Sequence, residues 1–453
     1  MSLPVKAGLS DGDNAGSCHD SSLRQNRAIY LRANSLTLVL ELPFMVNRVY
    51  FQCNSCNTGI TCRSQFGVGR EQTYLFPCPD CQVDVGFTLI LDPKNLTWRY
   101  GDFVNLRHYE GEGEPEKVLN FSSDFLVSKD FDKGLRQLPL TPQFENISLS
   151  RNMWEFYTIR NIRRKVTEDF WPRLHRAETH RKRNYRDKFD IELSAIDAGA
   201  VIDSFPTGTM AEILAEGFEK FEACFSSSLE SYRELVAERI QKAREVNPVA
   251  VELLREFYAQ EDRADHLYQQ LRSIDKQWVE LYSFFEPLEI VDCLEDPTKK
   301  LSDDYTLSEK PLERLKALYS DCFETAGRIL VLAGSYEGII RGHGVGVPSR
   351  RRLVPPAEFE RTPNGSKPDL VSSMPFWQIL AGSFDSKLRN GIGHHSWRYE
   401  AVTDTIHYEN HSPSRGREDF SMPYLDFCLH VRRMFHAVTI CSRYVHSVWL
   451  PNN

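Results

Sequence analysis

The chain contains no run of about 18 uncharged apolar residues, the length an α-helix needs to cross a bilayer, so no membrane span is expected. Its first residues, with Asp11, Asp13, His19 and Asp20 among them, lack the basic-then-apolar layout of a secretory leader, and a cytoplasmic location is expected. A basic excess is missing too: 55 Lys and Arg stand against 63 Asp and Glu, a formal net charge of −8. Nucleic-acid-binding domains often carry the opposite sign, so any such contact must come from local patches. No internal repeat is present, which leaves out repeat arrays. Hydrophobic residues at 41% and charged residues at 26% are ordinary for a globular chain and argue against extensive disorder. At 453 residues there is room for two or three domains, each with its own core.

Eleven cysteines in a long chain without a leader are not read as a disulfide framework. Their spacing says more than their number. Cys53-Asn54-Ser55-Cys56 and Cys78-Pro79-Asp80-Cys81 are two CxxC pairs separated by 21 residues, close to paired-knuckle zinc spacing. Strand-like residues 48–52 and 73–77 lead into the pairs, and 83–91 follow the second, so 46–92 reads as a zinc ribbon. Four thiolates on Zn(II) leave no open coordination position, which makes the metal structural. The ribbon either closes a small β domain short of core or presents a surface to a nucleic acid or protein. Cys62 lies between the pairs as a bystander.

The expected fold class is α+β: a strand-rich domain over 1–145 with the ribbon inside it, then a mainly helical domain over 206–453. Strands are expected at 35–42, 97–100 and 118–125. Apolar residues recur at three- and four-residue spacing from Leu214 to Ile240, predicting one long amphipathic helix. Further helices are expected over 249–285, from Pro311 to about Ile340, over 375–389, and from Pro423 through Val448. Residues 398–402 and 405–409 flank Thr403-Asp404 as a hairpin.

Between the domains, 146–205 reads as a basic helical connector. Arg163, Arg164, Lys165, Arg181, Lys182 and Arg183 are interleaved with Trp154, Phe156, Tyr157, Trp171 and Tyr185. Arginine beside aromatic residues suits phosphate contact with base stacking, so these six are candidate RNA-binding residues. The other reading is a solvated connector whose aromatics pack on a neighbour.

The string Phe384-Asp385-Ser386-Lys387-Leu388-Arg389-Asn390-Gly391-Ile392-Gly393-His394 places an arginine and a histidine near a helix end with four residues between them. An arginine offers a planar, permanently charged fork for phosphate oxygens; a histidine can take or give a proton near neutral pH. Alternatively, Arg389 pairs with Asp385, and Asn390-Gly391 is an ordinary helix stop.

With its hairpin and closing helix, this region resembles the motif region of HEPN domains, helical bundles that include ribonuclease toxins and anti-phage effectors. The resemblance covers about 370–446. It implies that Arg389, Asn390 and His394 are the R-N-x3-H residues, with His395 as a substitute for His394. It further implies a metal-independent endoribonuclease, of the toxin or anti-phage defence type, acting on RNA as a homodimer and held in check by an antitoxin or defence-system partner. Gly391 and Gly393 depart from the alanines common there, and each costs a helix about 1 kcal/mol. Asn390 is expected to position its neighbours. The alternative function is a non-catalytic adaptor that binds nucleic acid or nucleotides. His175 and His180 lack carboxylate company for a metal, and the glycines of 342–346 follow a helix instead of opening one.

Overall fold

The computed structural model describes residues 46–67, 71–92, 97–129, 142–196, 208–226, 229–296, 298–348, 352–367, 383–412 and 416–450. The strand expected at 35–42 and the expected helix start at 375 lie outside them. Among the described residues no helix is long and apolar enough to cross a membrane.

Among the described residues, seven strands build the first part: β1 (Val46–Cys53), β2 (Gly59–Gln65), β3 (Glu71–Pro77), β4 (Asp84–Asp92), β5 (Thr97–Val104), β6 (Leu106–His108) and β7 (Lys117–Ser122). They form two sheets, ordered β6-β1-β2-β7 and β3-β4-β5. In β3, Gln72, Tyr74 and Phe76 turn inward while Glu71 and Thr73 turn out, the two-residue period of a half-buried strand. The core is aromatic. Ring centroids lie 5.0 Å apart for Phe51 and Phe87, 5.2 Å for Tyr74 and Phe87, and 4.7 Å for Phe76 and Phe121. Aromatic edges and faces attract at such separations.

After Phe121 the buried residues join a second core that begins with Phe125 and Leu126. Two short strands, β8 (Val127–Ser128) and β9 (Tyr305–Thr306), pair antiparallel. The helices are α1 (Pro142–Leu149), α2 (Met153–Lys165), α3 (Trp171–Lys182), α4 (Arg186–Ser194), α5 (Met210–Phe225), α6 (Glu230–Val246), α7 (Pro248–Ala259), α8 (Arg263–Phe285), α9 (Leu312–Ile340), α10 (Pro356–Arg361), α11 (Ser386–Gly393) and α12 (Tyr424–Trp449). Short strands β10 (Val347–Pro348) and β11 (Leu353–Val354) pair between α9 and α10. Between α11 and α12, β12 (Trp397–Glu400), β13 (Thr405–Ser412) and β14 (Gly416–Pro423) form an antiparallel meander. It contains the expected hairpin and adds a third strand.

The central pair is α9 and α12. Tyr319 faces Phe427, and Tyr336 faces Tyr444 and hydrogen-bonds Ser447 at 2.7 Å, so the two helices run in the same direction. On α8, Tyr268 stacks on Trp449 and Trp278 stacks on Phe435, so α8 runs against α12. Phe156, Phe170, Trp171 and Leu174 carry the basic stretch into this same core.

Three helical expectations are corrected. The helix over 214–240 is two helices: Ser226 bonds back to the Glu222 carbonyl at 3.0 Å, and α5 ends there. The helix over 249–285 is also two, because Glu261 and Asp262 are left-handed (φ 54° and 52°) and break the hydrogen-bond ladder. The helix expected to end at Arg389 continues to Gly393, so the motif from Arg389 to Gly393 lies within α11 and His394 is its C-cap.

Candidate functional site

Each CxxC sits at the turn of a hairpin, the first between β1 and β2 and the second between β3 and β4. The two turns are built alike. Asn57 N–H donates to Cys53 O (3.0 Å) and Cys53 N–H to Thr58 O (3.0 Å); Gln82 N–H donates to Cys78 O (3.0 Å) and Cys78 N–H to Val83 O (2.8 Å). Asn57 and Gln82 take the left-handed conformation at the same place in each turn (φ 62° and 64°). The residue after β5 braces both turns: Asn105 O accepts from Asn54 N–H, and the Asn105 amide donates to Asp84 O. Arg107 reaches Asn54 (3.0 Å) and Asn57 (2.8 Å).

This geometry brings the four sulfurs together within 4.8 Å, with Cys53 and Cys81 at 3.7 Å and Cys56 and Cys78 at 3.6 Å. A metal–sulfur bond of about 2.3 Å in a tetrahedron implies sulfur–sulfur edges of about 3.8 Å. The cluster therefore fits one tetrahedral metal ion, and no disulfide joins its cysteines. Cys62 points into the strand core and is fully buried, apart from the cluster.

The second arrangement is at α11. Asp385 caps the helix, its Oδ1 accepting from Lys387 N–H (2.8 Å) and Leu388 N–H (3.1 Å). Its carboxylate is thereby engaged, and Arg389 turns elsewhere: Nε (2.8 Å) and Nη2 (2.7 Å) both meet Glu324 Oε1 on α9. The Nη1 end lies over Gly393, where an added Cβ would come within 3.0 Å of it. Asn390 donates to Asn410 Oδ1 at 3.2 Å, tying α11 to β13.

The helix closes on the histidines. His394 is the last half-helical residue, and His395 follows in the left-handed conformation (φ 56°). Ser396 N–H reaches back to Gly391 O (3.1 Å) and His395 N–H to Ile392 O (3.3 Å), the paired bonds of a Schellman stop. Both histidine side chains are exposed. The two glycines have separate causes. A Cβ at Gly391 would lie 2.8 Å from Tyr408 Cβ, so Gly391 lets β13 approach the helix, whereas Gly393 leaves room for the Arg389 guanidinium.

The six basic candidates divide. Arg163 is 1% exposed: it pairs with Glu289 and, at 3.3 Å, with Asp292, and it donates to the carbonyls of Cys224 (2.8 Å) and Phe225 (3.3 Å). Arg164 donates through Nε to Glu286 at 2.7 Å and pairs with the same carboxylate through Nη2. The expectation that Arg163 and Arg164 face RNA is thus corrected. Carboxylates of the 3₁₀ segment Glu286–Cys293 neutralise them inside the fold, where an unpaired charge would be costly. Lys165 is half-buried. Arg181 lies over the Trp449 ring at 5.0 Å, Lys182 reaches Gln269 at 2.8 Å, and Lys182 and Arg183 are exposed.

Glu324 and Asn410 escaped the sequence reading. Neither sits in a motif, and Glu324 is 65 residues from its partner.

Comparison of the chain with protein-family models, with curated proteins and with solved structures finds no match.

Proposed function

We propose that the chain is a metal-independent endoribonuclease, that its helical part is a HEPN-like bundle, and that its reactive centre is the end of α11. The observation that carries this reading is the Arg389 fork lying over Gly393, immediately before the exposed His394. A permanent cation for phosphate and a group able to transfer protons near neutral pH share one exposed helix end. In the reaction, the 2′-hydroxyl of RNA gives its proton to the neutral imidazole of His394 as O2′ bonds to the adjacent phosphorus. The P–O5′ bond breaks and the departing oxygen takes up a proton, leaving a 2′,3′-cyclic phosphate and a 5′-hydroxyl. Arg389 stabilises the charge that builds on the phosphate oxygens. A second proton carrier comes from His395 or from a second copy of the motif in a homodimer.

The cysteine cluster is assigned Zn(II) as a structural ion in a zinc ribbon: four thiolates with tetrahedral spacing suit it and leave no open position. A toxin or anti-phage role, with an antitoxin or defence-system partner, follows from the HEPN resemblance.

The test is cleavage of RNA by the purified chain in EDTA, with cyclic-phosphate ends. Arg389→Ala and His394→Ala should each lower the rate by roughly 10²- to 10⁴-fold while the circular dichroism spectrum is unchanged. Undiminished cutting by both variants would overturn the reading. The adaptor alternative draws on the Arg389–Glu324 pair, which can equally be a structural bridge between α9 and α11. It predicts RNA binding without turnover and no histidine-dependent toxicity on expression in a bacterial host.

A further inference from the structure

Glu324 meets Arg389 in a way that leaves a specific part of the fork open. One carboxylate oxygen takes both Nε and Nη2, and among the described residues nothing accepts from Nη1. That open end is the one lying over Gly393, one residue before His394.

The carboxylate is itself held from behind. Its other oxygen accepts from Asn364 Nδ2 at 2.5 Å, and Asn364 Oδ1 accepts from Lys367 Nζ at 2.8 Å. Lys367 is 1% exposed, and its ammonium also donates to Gly327 O at 2.9 Å, one turn beyond Glu324 on α9. The turn Asn364–Ser366 is seated between the two helices. A Cβ on Gly327 would strike Asn364 at 2.3 Å, and one on Gly365 would sit 3.2 Å from Ser386 at the start of α11. The chain Lys367–Asn364–Glu324–Arg389 thus runs from a buried ammonium to a half-exposed guanidinium, with each side chain oriented by the one before it.

We propose that Glu324 is a positioning residue for RNA: backed by Asn364 and Lys367, it fixes Arg389 so that the free Nη1 end faces the phosphate handled by His394. This rests on the ribonuclease reading for its substrate and extends it to residues outside the motif. A guanidinium held along one edge keeps donors for a phosphate along the other and is already oriented when the phosphate arrives.

The experiment uses the full chain and a 2′-O-methyl RNA oligonucleotide, which has no free 2′-hydroxyl and so reports binding by fluorescence anisotropy. Single-turnover cleavage of the unmodified RNA is measured in parallel. Glu324→Ala should weaken binding about tenfold and slow cleavage on the order of 100-fold. Glu324→Gln should recover part of both, since its amide oxygen still accepts from Arg389. The double variant Glu324→Ala/Arg389→Ala should be no worse than Arg389→Ala alone, because the two act as one unit. Binding and cleavage by Glu324→Ala at or above the wild-type level would overturn the proposal, since Glu324 would then be competing with phosphate. Glu324-dependent binding without cleavage by any form would retain the positioning role and reject the nuclease reading. No binding and no cleavage by the wild type would reject both.

Discussion

Arg389 on α11 gives both Nε and Nη2 to a single oxygen of Glu324 on α9, while Asp385, one turn before it, is engaged in capping the helix. The pair is 35% and 41% exposed, a setting in which ion pairs contribute only ~0.2–1 kcal/mol. Its consequence is orientation more than stability, and the variants that matter most are those that move the fork.

The two motif glycines should respond differently to alanine. At Gly391 the new Cβ would meet Tyr408 Cβ, an atom fixed by β13, so packing should cost about 1–3 kcal/mol and exceed the gain of about 1 kcal/mol in helix propensity. At Gly393 it meets only the tip of the Arg389 side chain, which can give way by shifting on Glu324 without moving backbone, so stability should hold or rise by up to about 1 kcal/mol while RNA cleavage falls. Urea denaturation of both variants checks this; equal losses would contradict the packing argument.

His395 occupies the left-handed position of the helix stop, where a side chain is strained and glycine is usual. His395→Gly should therefore raise stability by up to about 1 kcal/mol, read from the melting temperature. Its cleavage rate separates the two histidines: wild-type activity assigns the proton to His394, and lost activity in the stabilised variant assigns a share to His395.

The cysteine cluster should hold one metal ion per chain, counted by native mass spectrometry. Cys78→Ser, at a fully buried ligand position, should lose the ion and speed hydrogen exchange across β1–β4, because the two hairpins meet at the sulfurs. The helical core around α9 and α12 is a separate cluster and should keep its protection. Full metal retention by this variant would exclude the four-sulfur site.

Acid should act partly through His436 on α12, which is buried and, among the described residues, has no partner for Nε2. Burial, and then the neighbouring Arg432 guanidinium, hold its imidazole well below the ordinary range. Unfolded, the group takes up a proton near pH 6.5. Its contribution is complete above that pH and declines below it, where the unfolded chain binds the extra proton, at about 1.4 kcal/mol per pH unit. His436→Gln should flatten the fall in stability between pH 6.5 and 5 by that slope, measured by urea unfolding at each pH. Parallel curves for variant and wild type would show that His436 is already protonated in the fold.

The cysteine pairs were legible in the sequence because a CxxC at a hairpin turn is a local signal: the strands on either side and the turn between them are set by neighbours. The same holds for α9 and α12, whose apolar stripes run without interruption for many turns. Periodicity was blind to the break at Ser226, where Phe225 and Leu229 keep the four-residue spacing although α5 ends; at Glu261-Asp262 the polar run 260–263 interrupts the apolar stripe for one turn.

Residue types alone set the chemistry available at the end of α11, a cation for phosphate and a histidine for proton transfer, and set four thiolates at metal spacing. Tertiary structure decided which arginines remain available for a ligand. Arg163 and Arg389 are alike as sequence, but the carboxylates of 286–292 meet the first inside the core, whereas Glu324 meets the second at the surface and leaves Nη1 open. Those partners come from elements distant in the chain, and an ion pair formed by helix packing leaves no spacing in the sequence to read.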